Sequence, residues 1–402
     1  MVQAALRTAK LIPMPEYQRF DAVACEFPRP RAPLFPSLRW ADLSFGGRGT
    51  VAPALIDGTA VRHFARGRYA MHAAYLAAGI GPGTALLAPS YHCRTMIDPA
   101  LALGGTVLFY EVDSDLTPRV DSIRALLAPR DHGIKALVLP HYFGFEQPPA
   151  LLAAVMAVCR HHGLMFIEDC SHAWQVAAKR AQGAQANADH VLMASPYKFF
   201  GCEDGGVLWA NPALFPITPP ARPGLLREAK AFKSAWSRNR AARVDATEAV
   251  PREPALRGQD IIERHDQPSP LYERAMENKN SLALSRWVMR RTLLAPLVEQ
   301  RRQHYRQWLE AVAGARGGQA LMHDLPDDCA PYMFPITIAE PDPVFYQLKQ
   351  AGMPIFRWDD MAVSSCTVAR NYRLHLLHLP CHQGLTSQQM AWMTALVAKA
   401  LA

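Results

Sequence analysis

Between about residues 61 and 211 the apolar positions switch repeatedly between helical spacing and short unbroken runs. RYAMHAAYLAAGIG carries apolar residues at helical spacing and stops at glycine. TALLAP, TVLFYEV, KALVLPHYFG, LMFIED, HVLMAS and GGVLWA are short apolar runs and read as strands. TMIDPALALGG, DSIRALLAP and PALLAAVMAVCRHHG lie between them and read as helices, the last ending at Gly163. Strands alternating with helices predict an α/β domain: right-handed crossovers and a mostly parallel sheet covered on both faces. Elsewhere the pattern weakens. Residues 1–60 are rich in Pro and Arg and are expected to form an extended arm with short helices against a partner subunit. Residues 212–270 read as loops and broken helices. From Ser281 to about Val312 a long helix is expected, with a break at Pro296, and about 313–402 reads as a small α+β domain. This gives an arm (1–60), a large domain (61–280, irregular at 212–270), and a linking helix with a small C-terminal domain (281–402).

Composition narrows the class. The 402 residues, 50% of them hydrophobic, are enough for a large and a smaller domain. No 18-residue apolar run is free of charge, so no membrane span is expected. The N-terminus lacks a long apolar stretch and a small-residue cleavage site, so export is not expected. The 8 cysteines are scattered with no C-x-x-C pair, which argues against a structural zinc site and a disulfide framework and for a cytoplasmic protein. The net charge of +8 comes mainly from arginines dispersed along the chain, so no nucleic-acid partner is expected. The densest run, Arg222 to Arg243, is either a solvated helix face or loop, or an attractor for a phosphorylated or nucleotide-linked substrate.

In open α/β sheets ligands bind beyond the carboxyl ends of the strands. The residues there are Ser90-Tyr91-His92-Cys93, His141-Tyr142-Phe143-Gly144, Asp169-Cys170-Ser171-His172 and Ser195-Pro196-Tyr197-Lys198. Lys198 is one of few lysines and sits beside Tyr197, Phe199 and Phe200. Aromatic surroundings desolvate an ammonium and favour a nucleophilic amine, although a lysine beside aromatics is commonly a surface residue with a buried stem. Asp169 ends the apolar run LMFIED, where a carboxylate needs a cation such as a protonated pyridine nitrogen; the plainer reading is a helix N-cap. Gly67-Arg68 opens a helix whose free N–H groups suit a phosphate, or it is an ordinary helix start. His161-His162 precede Gly163 at a helix end, where they suit the helix dipole better than a metal, and no metal site is expected.

The order of these features resembles the DegT-type sugar aminotransferases, a branch of the fold type I pyridoxal-phosphate enzymes with an aspartate-aminotransferase-like large domain. The stretches that carry the resemblance are GRYAMHAAYLAAGIGPG, LLAPSYHCRTMIDPALALGGTVLFYEVDSD, ALVLPHYFG, HGLMFIEDCSHAW, SPYKFFGCEDGGVLWAN and LHLPCHQGLT. The resemblance implies that Lys198 bonds the cofactor, that Asp169 meets the pyridine nitrogen, and that Gly67 and Arg68 form the phosphate turn. It puts His172 where relatives have Gln near the ring hydroxyl, and makes Ser195 the candidate phosphate serine. Some positions depart from the family. Cys93 stands where an aromatic ring usually covers the cofactor, with His92 as a substitute one residue away. The family's Asn-Tyr-Arg motif has no match, although Asn278 and Asn280 lie in the corresponding region.

The function implied is amino transfer from glutamate or glutamine to a keto acceptor, a nucleotide-linked keto-sugar, in a homodimer with pyridoxal 5'-phosphate. The alternatives are transfer to a non-sugar ketone or aldehyde, a lyase or dehydratase on the same fold, and a non-catalytic interaction protein. The family's dehydratase branch has His in place of the lysine, so Lys198 opposes that branch.

Overall fold

The computed structural model of the protein describes residues 15–21, 27–46, 53–129, 132–183, 189–214, 220–241, 259–264 and 266–402. The chain opens with strand β1 (Glu16–Asp21) and strand β2 (Val61–Phe64), then alternates: α1 (Gly67–Ala77), β3 (Ala85–Pro89), α2 (Arg94–Ala102), β4 (Thr106–Tyr110), α3 (Val120–Leu127), β5 (Ile134–Pro140), α4 (Pro149–His161), β6 (Met165–Asp169), α5 (Trp174–Gly183), β7 (His190–Ala194) and β8 (Gly206–Trp209). Helix α6 (Leu225–Ala241) and strand β9 (Gln259–Arg264) follow, then helices α7 (Ala283–Arg291) and α8 (Leu294–Val312). The C-terminal part comprises β10 (Gly318–Ala320), β11 (Met333–Ile338), α9 (Pro341–Gln350), β12 (Asp360–Ala362), α10 (Thr367–His375), β13 (Leu376–Pro380) and α11 (Ser387–Ala400).

The central sheet has the order β2-β8-β7-β6-β5-β3-β4. Strands β3 to β7 are parallel, and β8 runs against both neighbours. Alternation along the strands feeds two apolar layers, because successive side chains leave opposite faces. Leu86, Ala88, Ala136 and Val138 pack with Tyr69, Ala70, Ile97 and Leu101 of α1 and α2. Leu87, Leu137 and Leu139 pack with Ile123 and Val155 of α3 and α4. The doubly covered parallel sheet is thus the one the sequence pattern implies.

The smaller antiparallel sheet, β10-β11-β13, packs Phe334, Ile336, Leu377 and Leu379 against Trp308, Met390 and Met393 of α8 and α11. A third antiparallel sheet, β12-β1-β9, joins the N-terminal arm to the irregular segment and to the C-terminal part.

Two local expectations need correction. Residues 212–270 were expected to hold only loops and broken helices, yet α6 runs unbroken for 17 residues. Its sequence LLREAKAFKSAWSRNRA has no Pro or Gly and is rich in strong helix formers, so propensity carries it where apolar periodicity is weak. The α7–α8 break falls at Thr292-Leu293, not at Pro296, which is the third residue of α8. In the first helical turn a missing N–H costs no hydrogen bond. The segment VRHF adds β2 beside β8. Parts of the expected arm (1–14, 22–26 and 47–52) and of the irregular segment (215–219 and 242–258) lie outside the described residues.

Candidate active site

The carboxyl ends of the parallel strands, the start of α1 and one loop of the C-terminal part line a cleft that opens to solvent. Its floor is Asp169, the last residue of β6, only 4% exposed. The Ser171 backbone N–H donates to Asp169 Oδ1 at 2.8 Å. Among the described residues no cation lies within ion-pair distance of this carboxylate. Burial pushes its pKa up, while the Ser171 hydrogen bonds and the charge of Lys198 pull it partly back. The Ser171 contact is the local turn expected of a capping aspartate. The absence of a cationic partner is what a capping role does not account for.

Lys198 ends a single 3-10 turn, Pro196–Lys198, after β7 and lines the same cleft. The aromatic ring nearest its amine is not one of its sequence neighbours. Phe199 and Phe200 turn into the core beside Trp174, whereas Lys198 Nζ lies 5.5 Å from the centre of the Tyr332 ring. His172 stacks on the same Tyr332 ring, with centroids 4.3 Å apart. The Phe143 N–H donates to His172 Nδ1 at 3.3 Å, so the neutral ring carries its proton on Nε2 and offers that as a donor. Burial, reinforced by the nearby charges of Lys198 and His378, holds His172 well below its ordinary pKa and keeps it neutral.

The lysine turn is clamped from the C-terminal side. Arg301, fully buried, donates from Nη2 to the carbonyls of Lys198 (3.3 Å) and Phe199 (2.9 Å). It also donates from Nη1 to Pro331 O (2.9 Å) and from Nε to Gln383 Oε1 (2.9 Å). Burial lowers its pKa to about 10. Carbonyl oxygens thus satisfy a guanidinium that has no carboxylate partner among the described residues.

The start of α1 forms the other wall. No side chain caps it, and helix geometry leaves the Gly67 and Arg68 N–H groups without intrahelical acceptors. Ser195 Oγ sits so close to Gly67 that a Cβ there would collide with it, and a Cβ on Gly206 would collide with the Arg66 carbonyl. The two glycines therefore let β8, the Ser195 turn and the helix start converge. Ser195 Oγ lies 3.1 Å from Ser171 Oγ. The Arg66 guanidinium lies 4.7 Å from the Tyr197 ring centre, and Arg68 donates to Leu271 O. The helix start, two hydroxyls and two arginines suit an anion.

Of the candidates read from sequence, Gly67, Arg68, Cys93, Asp169, His172, Ser195 and Lys198 meet at this cleft. His92 does not. Its ring stacks on Phe109 (4.9 Å), its Nε2 accepts from the Ala362 N–H (3.2 Å), and burial lowers its pKa to about 3. The ring is fully committed to packing, which leaves Cys93, with Sγ 3.0 Å from Thr95 Oγ1, at the cleft. Asn278 and Asn280 also lie outside it: Asn280 Oδ1 accepts from Arg286, and both backbones bond to Ala221. Sequence reasoning missed Arg66, Arg301, Tyr332 and Trp358. Arg66 stood beside a residue already chosen; the other three carried no local signal.

Behind Asp169, the donor atoms of His141, Glu168 and Cys170 lie within 4.8 Å of one another. Their capacity is already used. Glu168 accepts from His141 (2.8 Å), Arg180 (3.1 Å) and His190 (3.0 Å), and His141 Nδ1 accepts from the Gln147 N–H. Burial would raise the Glu168 carboxyl, but these partners outweigh it and hold it below the usual range. The cluster is a satisfied ion network supporting the floor.

A doubly covered parallel sheet with a lysine, a buried aspartate and a helix start at its carboxyl edge is the arrangement of the aspartate-aminotransferase-like fold. Residues 59–214, which build most of this cleft, match the DegT/DnrJ/EryC1/StrS aminotransferase family. Solved structures share the fold. The aminotransferase TlmJ from Streptoalloteichus hindustanus is 20% identical, with 87% of this chain and 88% of that one covered at a TM-score of 0.59. The sugar aminotransferase CalS13 from Micromonospora echinospora is 17% identical (92% and 99% covered, TM-score 0.55). Helicobacter pylori PseC, an aminotransferase involved in the biosynthesis of pseudoaminic acid, is 13% identical (94% and 99% covered, TM-score 0.59). Among the described residues, no helix is long and apolar enough to cross a membrane.

Proposed function

We propose that this cleft binds pyridoxal 5'-phosphate and moves an amino group from glutamate or glutamine to a keto acceptor, a nucleotide-linked keto-sugar. The observation that carries the reading is Asp169: a buried carboxylate without an ion-paired cation among the described residues, facing the same cleft as an amine and the start of α1. The chemistry of each wall fits the group. Gly67, Arg68 and Ser195, with Arg66, would hold the phosphate. Asp169 would keep a proton on the pyridine nitrogen, and His172 Nε2–H would face the ring hydroxyl. When bound, the cofactor supplies an electron sink for the pair left behind as a substrate C–H bond breaks. Lys198 Nζ is the amine in reach of that proton, taking it from one carbon and returning it to another. Arg301 fixes the turn from which Lys198 reaches.

The similarity to CalS13, named as a sugar aminotransferase, supports a sugar acceptor. We also propose a homodimer. Leu225 (88% exposed), Leu226 (81%) and Phe232 (51%) on α6, with Leu271 (60%), present apolar surface that water disfavours. The direct test is borohydride treatment of purified protein followed by peptide mapping, beside turnover assays with keto-sugar nucleotides. Cofactor fixed to Lys198 and amine on the sugar are expected. Cofactor fixed to another lysine overturns the site, and transfer only to simple keto acids or aldehydes overturns the sugar acceptor.

A further inference from the structure

The C-terminal part of the chain contributes one side chain to the cleft lining, Trp358, from the loop between α9 and β12. We infer that Trp358 reads the acceptor, stacking on the uncharged face of a hydroxylated ring and donating its indole N–H to a ring oxygen. The inference rests on the transaminase reading of the cleft and identifies the side chain that would select the acceptor.

The loop carries a cation as well as an aromatic, and the fold separates them. Arg357 is 5% exposed, with its guanidinium 4.2 Å from the Phe345 ring centre and 4.9 Å from that of Phe20. It is turned into the apolar core of the C-terminal part, with Asp359 beside its Nε at 3.5 Å. Its neighbour Trp358 is only partly buried and faces the cleft.

The indole is held rather than loose. Tyr91 packs against it with centroids 4.8 Å apart, and the His378 ring meets it edge-on at 5.1 Å. Tyr91 is itself fixed by a 2.9 Å hydrogen bond between its hydroxyl and His378 Nε2. A stacking surface of fixed orientation loses little entropy when a ligand settles on it. Among the described residues the Trp358 N–H has no acceptor, and it is not sealed from solvent as that of Trp174 is. By contrast, Trp308 spends its N–H on Pro380 O.

The charge distribution points to a neutral ring at this wall. The arginines of the cleft, Arg66 and Arg68, come from the α1 side, whereas Trp358 stands against Tyr91, Tyr142, His172 and His378. Burial holds both histidines neutral, so the rings around Trp358 carry no charge. A ring with C–H groups on its face and hydroxyls on its rim matches both an indole face and a donor at the indole edge.

The test uses holoenzyme of wild type, Trp358→Ala and Trp358→Phe, each checked for cofactor content and melting temperature. KM and kcat are measured for a keto-sugar nucleotide and for pyruvate as a ring-free acceptor, beside the glutamate half-reaction. Trp358→Ala should raise KM for the ring acceptor about tenfold, as loss of one aromatic stack and one hydrogen bond implies. Trp358→Phe, which keeps the face, should raise it about threefold. Pyruvate KM and the glutamate half-reaction should move less than about twofold. Equal losses with ring and ring-free acceptors, or loss of bound cofactor in Trp358→Ala, would overturn the inference and assign the indole to the cofactor or to packing. If Trp358→Ala alone misfolds, the Phe variant still decides. Failure of the underlying reading is visible separately, as wild-type protein that holds no cofactor or transfers no amine.

Discussion

Replacing Asp169 by Asn should push the cofactor-free and cofactor-bound proteins in opposite directions. Without cofactor, the Asp169 carboxylate is buried and has no cationic partner within ion-pair distance among the described residues. Burial raises its pKa more than Ser171 and Lys198 lower it. The folded chain therefore holds the proton more firmly than the unfolded chain does. The stability this gives is fully present below the ordinary carboxylate range and is lost as pH rises through the raised folded value. Asparagine keeps the shape and can still accept the Ser171 N–H, but carries no charge at any pH. At neutral pH the substitution should therefore stabilise the cofactor-free protein, seen as a higher Tm. With cofactor bound the sign reverses, because losing one member of a buried pair costs about 3–5 kcal/mol. Turnover should fall between about a hundredfold and several thousandfold. The assay is a melting series from about pH 5 to 9, with and without cofactor, beside turnover at saturating substrate. The variant should melt above wild type without cofactor at the alkaline end, and the gap should close toward acid. A variant that melts lower at every pH, with near-normal turnover, would refute the reasoning and leave Asp169 as the cap of the Ser171 turn.

Lys198→Ala should abolish both turnover and borohydride-fixed cofactor; fixation at the same stoichiometry on another residue would contradict its role. Arg301→Lys keeps a charge but cannot reach all four oxygens that the guanidinium serves, so stability should fall by about 2–4 kcal/mol, read by denaturant unfolding; an unchanged midpoint would show that the clamp is dispensable. Gly206→Ala sets a methyl against the Arg66 carbonyl and, at 2.8 Å, the Gly67 nitrogen. It should weaken cofactor binding by about 1–3 kcal/mol through a displaced helix start, and equilibrium dialysis that finds wild-type affinity would refute this. Light scattering should report a dimer, and Phe232→Asp should shift it toward monomer; a fully active wild-type monomer at low concentration would overturn the assembly proposal.

The parts of the site that follow a strand were legible, because a parallel sheet puts every strand's carboxyl end at one edge. Asp169 after LMFIED and Ser195 and Lys198 after HVLMA could be placed from that rule alone. Tyr332, Trp358 and Arg301 could not, since each reaches the cleft or its lysine turn from more than a hundred residues beyond the last parallel strand. The aromatic environment of Lys198 shows the limit well. Its sequence neighbours Phe199 and Phe200 were the visible choice, yet the 3-10 turn points them into the core and leaves the amine beside Tyr332. His92 was misread for a related reason: one step along a turn separates a side chain in the cleft from one packed behind it. Helix α6 was passed over because the Arg and Lys of its segment drew the eye from Leu225, Ala229 and Phe232 at helical spacing. Arg238 and Arg240 lie in its last turns, where side chains fall outside the described residues.

The β12-β1-β9 sheet sets an order of events during synthesis. Gln18 pairs with Met361 on one side and Ile262 on the other. The edge of that sheet therefore cannot close until nearly the whole chain has left the ribosome. Strands β3 to β7, with Asp169 and Lys198 at their ends, need only contacts made much earlier, within about the first half of the chain. Because chains emerge N-terminus first and distant pairings form late, the floor of the cleft takes shape long before the wall that holds Trp358. The nascent arm must wait, unpaired, for a partner strand made hundreds of residues later.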